Sequence, residues 1–122
     1  MKSHLVISTA TEMVRIRPES IVYVVSDGNY SNIVQADSHI RMVTYQLGQI
    51  VKMIEEQQVE TELSRFIRIG KSLIVNSRYV YYINVTRQKL TISDGRTFSY
   101  DLSASKDALK SLKDYLEKEV NK

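Results

Sequence analysis

The chain has 122 residues, 43% hydrophobic and 25% charged, and no cysteine. It is long enough for one domain with a real core and too short for two. Its composition excludes wholesale disorder, and the missing cysteines exclude disulfides and thiolate metal sites and fit a reducing compartment. The net charge of +3 is modest, but it is unevenly spread. Between Leu63 and Ser93 lie six basic residues (Arg65, Arg68, Lys71, Arg78, Arg87, Lys89) and no acid, so the remaining 11 basic residues face all 14 acidic ones. A one-sign block of this kind creates a local positive field that favours polyanions, and a solvated face with chance clustering is the equal alternative on charge alone.

The N-terminal stretch MKSHLVISTATEMVRIRPE holds only a short apolar run, unlike a signal peptide, and no segment approaches the roughly 18 apolar residues of a membrane span. A cytoplasmic protein with no membrane partner is expected. Residues 5–9 and 13–17 read as short strands, the second alternating Met13, Arg15 and Arg17 with Val14 and Ile16. Pro18, Glu19 and Ser20 mark a turn. Residues 21–25 (IVYVV) suit a buried strand, and 31–36 and 39–45 continue the β pattern around a turn at Asp37-Ser38. In 45–58, Leu47, Ile50, Val51 and Ile54 fall at helical spacing, with Thr44 as the expected N-cap.

Ser-Asp-Gly occurs twice, at 26–28 and 93–95. At the second, a two-residue turn would set Ile92 opposite Thr97 and Leu90 opposite Ser99. A three-residue loop with a left-handed Gly95 sets Leu90 opposite Phe98, so the spacing predicts a bulged hairpin there and another at 26–28. The last helix carries Ala108, Leu109, Leu112, Tyr115 and Leu116 on one stripe, capped by Ser105 with Asp107 in its first turn. Hairpins, a middle helix, further strands and a closing helix make a β-rich α+β domain spanning residues 1–122.

No catalytic constellation emerges, and neither an enzymatic activity, a cofactor nor a small-molecule substrate is expected. Gly70-Lys71-Ser72 matches the end of a phosphate-binding P-loop, but that loop requires glycine where Arg65 stands. His4 and His39 have no carboxylate at ligand spacing and fit surface or edge positions. Glu55 and Glu56 fit a solvated helix end, and no serine lies in a nucleophile elbow. The cluster Tyr79, Tyr81 and Tyr82 reads as structural in preference to a base-stacking platform.

The stretch RFIRIGKSLIVNSRYVYYI (65–83) explains the basic block. Through Phe66, Arg68, Lys71, Ser72, Val75 and Asn76 it resembles the signature of the LytTR DNA-binding domains of bacterial transcription regulators. Ile21, Gly28, Asn29 and Tyr30 resemble that family's upstream segment, and the likeness runs over residues 12 to 117. It implies stacked small antiparallel sheets with peripheral helices, and a transcriptional regulator, response-regulator-like, that contacts double-stranded DNA through loops, often as a dimer on paired repeats. Carried over by position, base-reading contacts fall near Ser31, near Lys71 and at Ala104. Asn29 and Asn32 flank the first loop, Ser72 and Arg68 the second, Ser103 and Lys106 the third, and Arg87 belongs to the basic loop between the last strands. Arg68 is expected to brace its loop or meet the DNA backbone, Ser72 to hold the turn with its hydroxyl, and Asn76 to make turn hydrogen bonds.

Two positions depart from the family pattern: Gly70 stands where His is usual and Ala104 where Arg is usual. The second change removes a bidentate guanine donor, commonly worth about 1–3 kcal/mol of base discrimination. The departures keep a second reading open: a LytTR-like interaction module that dimerises with a competent regulator and modulates it.

Overall fold

The computed structural model describes residues 4–120, so the extreme ends of the single-domain reading lie outside the described residues. Its centre is a five-stranded antiparallel sheet in the order β5-β4-β3-β7-β6. The strands are β3 (Ile21–Asp27), β4 (Tyr30–Gln35), β5 (Ile40–Val43), β6 (Phe66–Ile69) and β7 (Leu73–Asn76). A two-stranded hairpin of β1 (Leu5–Ser8) and β2 (Met13–Ile16), with helix α1 (Leu47–Glu56), covers one face. A three-stranded sheet of β8 (Val80–Asn84), β9 (Lys89–Ser93) and β10 (Ser99–Ser103), with helix α2 (Lys106–Val120), covers the other. The β-rich α+β class is as expected.

Two cores follow from the period-2 alternation of the central strands. Val24, Ile33 and Ile74 point to one side and meet Leu5, Ile16, Leu47, Ile50 and Ile54. Leu73 and Val75 point to the other, with Val22 and Ile69, and meet Leu90, Ile92, Phe98, Leu109 and Leu112. Tyr23 and Tyr100 join the second core edge to face, their ring centroids 5.4 Å apart. Helix α2 is held by Leu109 and Leu112, both buried, each contributing about 1.5–3 kcal/mol by its removal from water. Ser105 caps it as predicted, its Oγ accepting the Ala108 N–H at 3.2 Å.

Three local expectations are corrected. The hairpin after β9 pairs Leu90 with Leu102 and Ser93 with Ser99, not Leu90 with Phe98. The Asp94 carboxylate accepts the backbone N–H groups of Arg96, Thr97 and Phe98, so five residues close the loop instead of three. Gly95 does take the left-handed conformation, at φ +80°. At the first Ser-Asp-Gly the loop is shorter than predicted: Asp27 pairs with Tyr30, leaving Gly28 and Asn29 as a two-residue turn with positive φ only at Gly28. Helix α1 starts after Gln46, not Thr44, because the Gln49 side chain reaches back to accept the Gln46 backbone N–H at 2.8 Å.

Candidate nucleic-acid interface

Backbone pairing collects the separated loops at one end of the central sheet. β7 runs between β3 and β6, and the Ser26 N–H donates to the Ser72 carbonyl at 2.9 Å. That bond sets the β6–β7 turn (Gly70, Lys71, Ser72) beside the β3–β4 turn (Gly28, Asn29). The N-terminus of α1 joins them: Gln46 Nε2 donates to Asn29 Oδ1 at 3.4 Å. On the other side a small cleft of about 140 Å³ is lined by Gly70, Ser72, Ser103, Ala104 and Ser105, which brings in the β10–α2 junction. Gln88 extends the series, donating from Nε2 to the Ala104 carbonyl at 3.3 Å and from its own carbonyl accepting the Ala104 N–H at 3.4 Å. The β8–β9 turn with Arg87 therefore borders the same end.

The cation at the tip is presented by a built scaffold. Arg68 Nη2 donates to the Lys71 carbonyl at 3.2 Å, and its guanidinium lies against the first turn of α1, 3.6 Å from where a β-carbon on Gly48 would sit. Arg68 thus braces the turn, as expected, and its charge stays at the surface. Gly70 has φ +62°, a conformation that glycine adopts without strain, and the space beside it is open. Ile69 and Leu73 are buried beneath the turn, while Phe66 and Ile67 are half-buried. Lys71 and Ser72 are exposed, and the Lys71 ammonium makes no ion pair among the described residues. The turn is held by Arg68 and the Ser72 carbonyl, not by the Ser72 hydroxyl.

Asn76 is fully buried and fixes the far end of β7. Its Nδ2 donates to the Pro18 and Ile21 carbonyls at 3.2 and 2.9 Å, and its Oδ1 accepts the Arg78 N–H at 3.1 Å. This is the turn-bonding role anticipated for it.

The nine candidates divide. Asn29, Arg68, Lys71, Ser72, Ser103 and Lys106 lie exposed on the assembled end, and Arg87 is exposed on the bordering turn, where its N–H donates to Asn84 Oδ1 at 3.0 Å. Ser31 is corrected: it is completely buried, and its hydroxyl donates to the Tyr45 carbonyl at 2.7 Å, so it ties β4 to the segment before α1 and offers nothing to a ligand. Asn32, one residue on, is half-buried on the opposite sheet face and paired across from Met42. Gln46, Gly48 and Gln88 belong to this end and were missed, because nothing in their sequence neighbourhood marks the long-range bonds they make.

Charge supports an anionic ligand with local exceptions. Arg65, Arg68, Lys71, Arg78 and Arg87 make no ion pair among the described residues, whereas Lys89 sits 3.8 Å from Asp101 of β10. The acid-free block is therefore neutralised at one position by a strand outside it. Asp27 and Asp107, both exposed, also flank the assembled end. The tyrosine cluster divides too. Tyr79 is structural, its ring 5.1 Å from Phe98 and its hydroxyl donating to the Glu19 carbonyl, with burial pushing its pKa up. Tyr81 and Tyr82 are exposed, because a bulge between Val80 and Tyr82 breaks the alternation of β8.

The family model of the LytTr DNA-binding domain matches residues 11–117. Among solved structures, the fold is similar to the LytTr DNA-binding domain of a Bacillus cereus protein described as a methyl-accepting/DNA response regulator. That likeness has a TM-score of 0.58 at 18% identity and covers 97% of this chain and 96% of the other. No curated protein matches the chain. Among the described residues no helix is long and apolar enough to cross a membrane.

Proposed function

The chain belongs to the LytTR DNA-binding domain family, and from that premise we propose that it is a sequence-specific, double-stranded-DNA-binding transcriptional regulator acting in the cytoplasm. The observation that carries this reading is the gathering of the turns at 28–29 and 70–72 with the 103–106 junction on one end, with Lys71 projecting from a turn held by Arg68.

Lys71 meets a backbone phosphate in this reading. A lone ammonium satisfies a phosphate well and discriminates bases poorly compared with an arginine fork. Lys106 and Arg87 add phosphate contacts along the same end. Asn29 and Ser103, short and uncharged, are the groups placed to reach base edges or sugars. Ala104 supplies no donor, so base discrimination rests on fewer groups than the family pattern provides. Binding to paired repeats as a dimer supplies the recognition length that one domain with few base contacts lacks.

Fluorescence anisotropy with mixed duplex DNA over a salt series tests the reading. Each neutralised phosphate contributes about −0.9 to the log–log slope, so contacts from Lys71, Arg87 and Lys106 give a slope of about −2.7 per domain. No binding at low salt overturns it. Ala104 favours one other reading, an interaction module that pairs with a competent regulator. Selection from a random duplex library separates the two: a recurrent repeat motif supports the regulator, and weak, sequence-independent retention supports the module.

A further inference from the structure

The two edges of the central sheet are finished differently. In an antiparallel pair, residues alternate between bonding inward and pointing their backbone groups away. At the β6 edge, Ser77 N–H donates to the Arg65 carbonyl, so Phe66 and Arg68 point outward, and Glu60 Oε2 accepts the Phe66 N–H at 2.8 Å. That edge is partly closed by the chain itself. At the β5 edge, the Gln35 N–H donates to the His39 carbonyl at 2.9 Å, and the unbroken register then turns Arg41 and Val43 inward and Ile40 and Met42 outward. The outward N–H and C=O groups of Ile40 and Met42 meet no partner among the described residues.

The side chains of β5 are also unfinished. Ile40 and Met42 are 59% and 61% exposed, on the sheet face they share with Tyr30, which is 46% exposed. On the opposite face, Arg41 is half-buried, its Nε is shielded from solvent without a hydrogen-bond partner, and it makes no ion pair among the described residues. It lines a cleft of about 280 Å³ between β5 and the β1–β2 loop, together with Thr11, Glu12, Met13 and Thr44. An orphaned guanidinium on one face and two exposed apolar side chains on the other form a strand template with a defined complement.

We propose that the β5 edge receives an extended segment of a partner protein as a sixth strand, with an acidic residue flanked by two apolar ones. The apolar pair lies beside Ile40 and Met42, the acid enters the cleft toward Arg41, and the four free backbone groups of Ile40 and Met42 supply the ladder. A second copy of this chain fits poorly. The register that uses both outward residues of each β5 sets Arg41 directly opposite Arg41 of the other copy, and like charges at that spacing repel.

Selection of a random heptapeptide phage library on the full chain tests this. The expected result is enrichment of peptides with an apolar–acidic–apolar triplet. Arg41→Glu should switch the central preference to lysine or arginine, and Met42→Pro, which removes an outward N–H that has no partner among the described residues, should weaken the enriched peptides at least tenfold. Circular dichroism of both variants controls for folding, and if Met42→Pro misfolds the charge reversal decides alone. No enrichment, or enrichment indifferent to Arg41→Glu, overturns the proposal and leaves Arg41 as a guard against edge pairing. A dimer in sedimentation that Met42→Pro dissolves overturns it in favour of a second copy. Loss of duplex binding in Arg41→Glu overturns it in favour of nucleic acid.

Discussion

Lys71→Ala separates the scaffold role of the β6–β7 turn from its proposed ligand role. The ammonium is exposed and unpaired among the described residues, and the Lys71 carbonyl that Arg68 holds is retained in alanine. Stability should change by no more than about 0.5 kcal/mol, a Tm shift of about 2 °C for a domain of this size. If the ammonium neutralises one phosphate, the salt slope loses about 0.9 of a unit. Affinity for every duplex then falls about eightfold at 0.1 M salt and about threefold at 0.3 M, since the term scales with the logarithm of salt concentration. If it reads a guanine instead, the loss concentrates on one base pair, at about 1–3 kcal/mol, with little change of slope. Anisotropy titrations at several salt concentrations, on the selected site and its single-base variants, distinguish the two. A natively folded Lys71→Ala protein with wild-type affinity and slope refutes both.

Asn76→Ala leaves the Pro18 and Ile21 carbonyls and the Arg78 N–H without their buried partner, and should cost about 3 kcal/mol in a urea titration. Ser31→Ala loses the bond to the Tyr45 carbonyl and should cost about 1 kcal/mol while duplex affinity stays unchanged; Ser31→Glu, which buries an unpaired charge, should lower the melting temperature severely. The Thr97 hydroxyl, followed by the backbone N–H groups of Arg96, Phe98 and Thr97, holds the Asp94 carboxyl well below the usual carboxylate range. A depressed folded-state pKa contributes stability in full above the unfolded value of about 3.9 and loses it as pH falls through the folded value. The stability gap between wild type and Asp94→Asn in urea should therefore shrink on going from pH 7 to below pH 3.

Much of the fold was legible where side-chain pattern alone decides structure. The stripe of α2, its Ser105 cap and the β-branched run of β3 are local signals, and tertiary packing agrees with them. The misses occur where one polar side chain redirects the backbone. Asp94 collects three N–H groups and lengthens its loop, and Gln49 moves the start of α1 past Thr44. Neither effect is visible to periodicity.

The candidate site was legible in part for the same reason. Lys71 and its Arg68 brace follow from a short segment whose strand and turn are local. Ser31 was misplaced although its alternation with Ile33 puts both on one buried face, because a polar residue at a hairpin shoulder reads as exposed. The contacts of Gln46 with Asn29 and of Gln88 with Ala104 depend on chain reversals that the sequence pattern does not specify.

The central claim is that one end of the central sheet docks on DNA through its turns. Amide chemical-shift mapping of the full chain against a duplex carrying the selected site tests it most directly. The account predicts that perturbations concentrate at residues 28–29, 68–72, 87–88 and 103–107, while β5 and the outer half of α2 stay unchanged. Perturbations centred on β5, or spread evenly with none favouring the 70–72 turn, would contradict it.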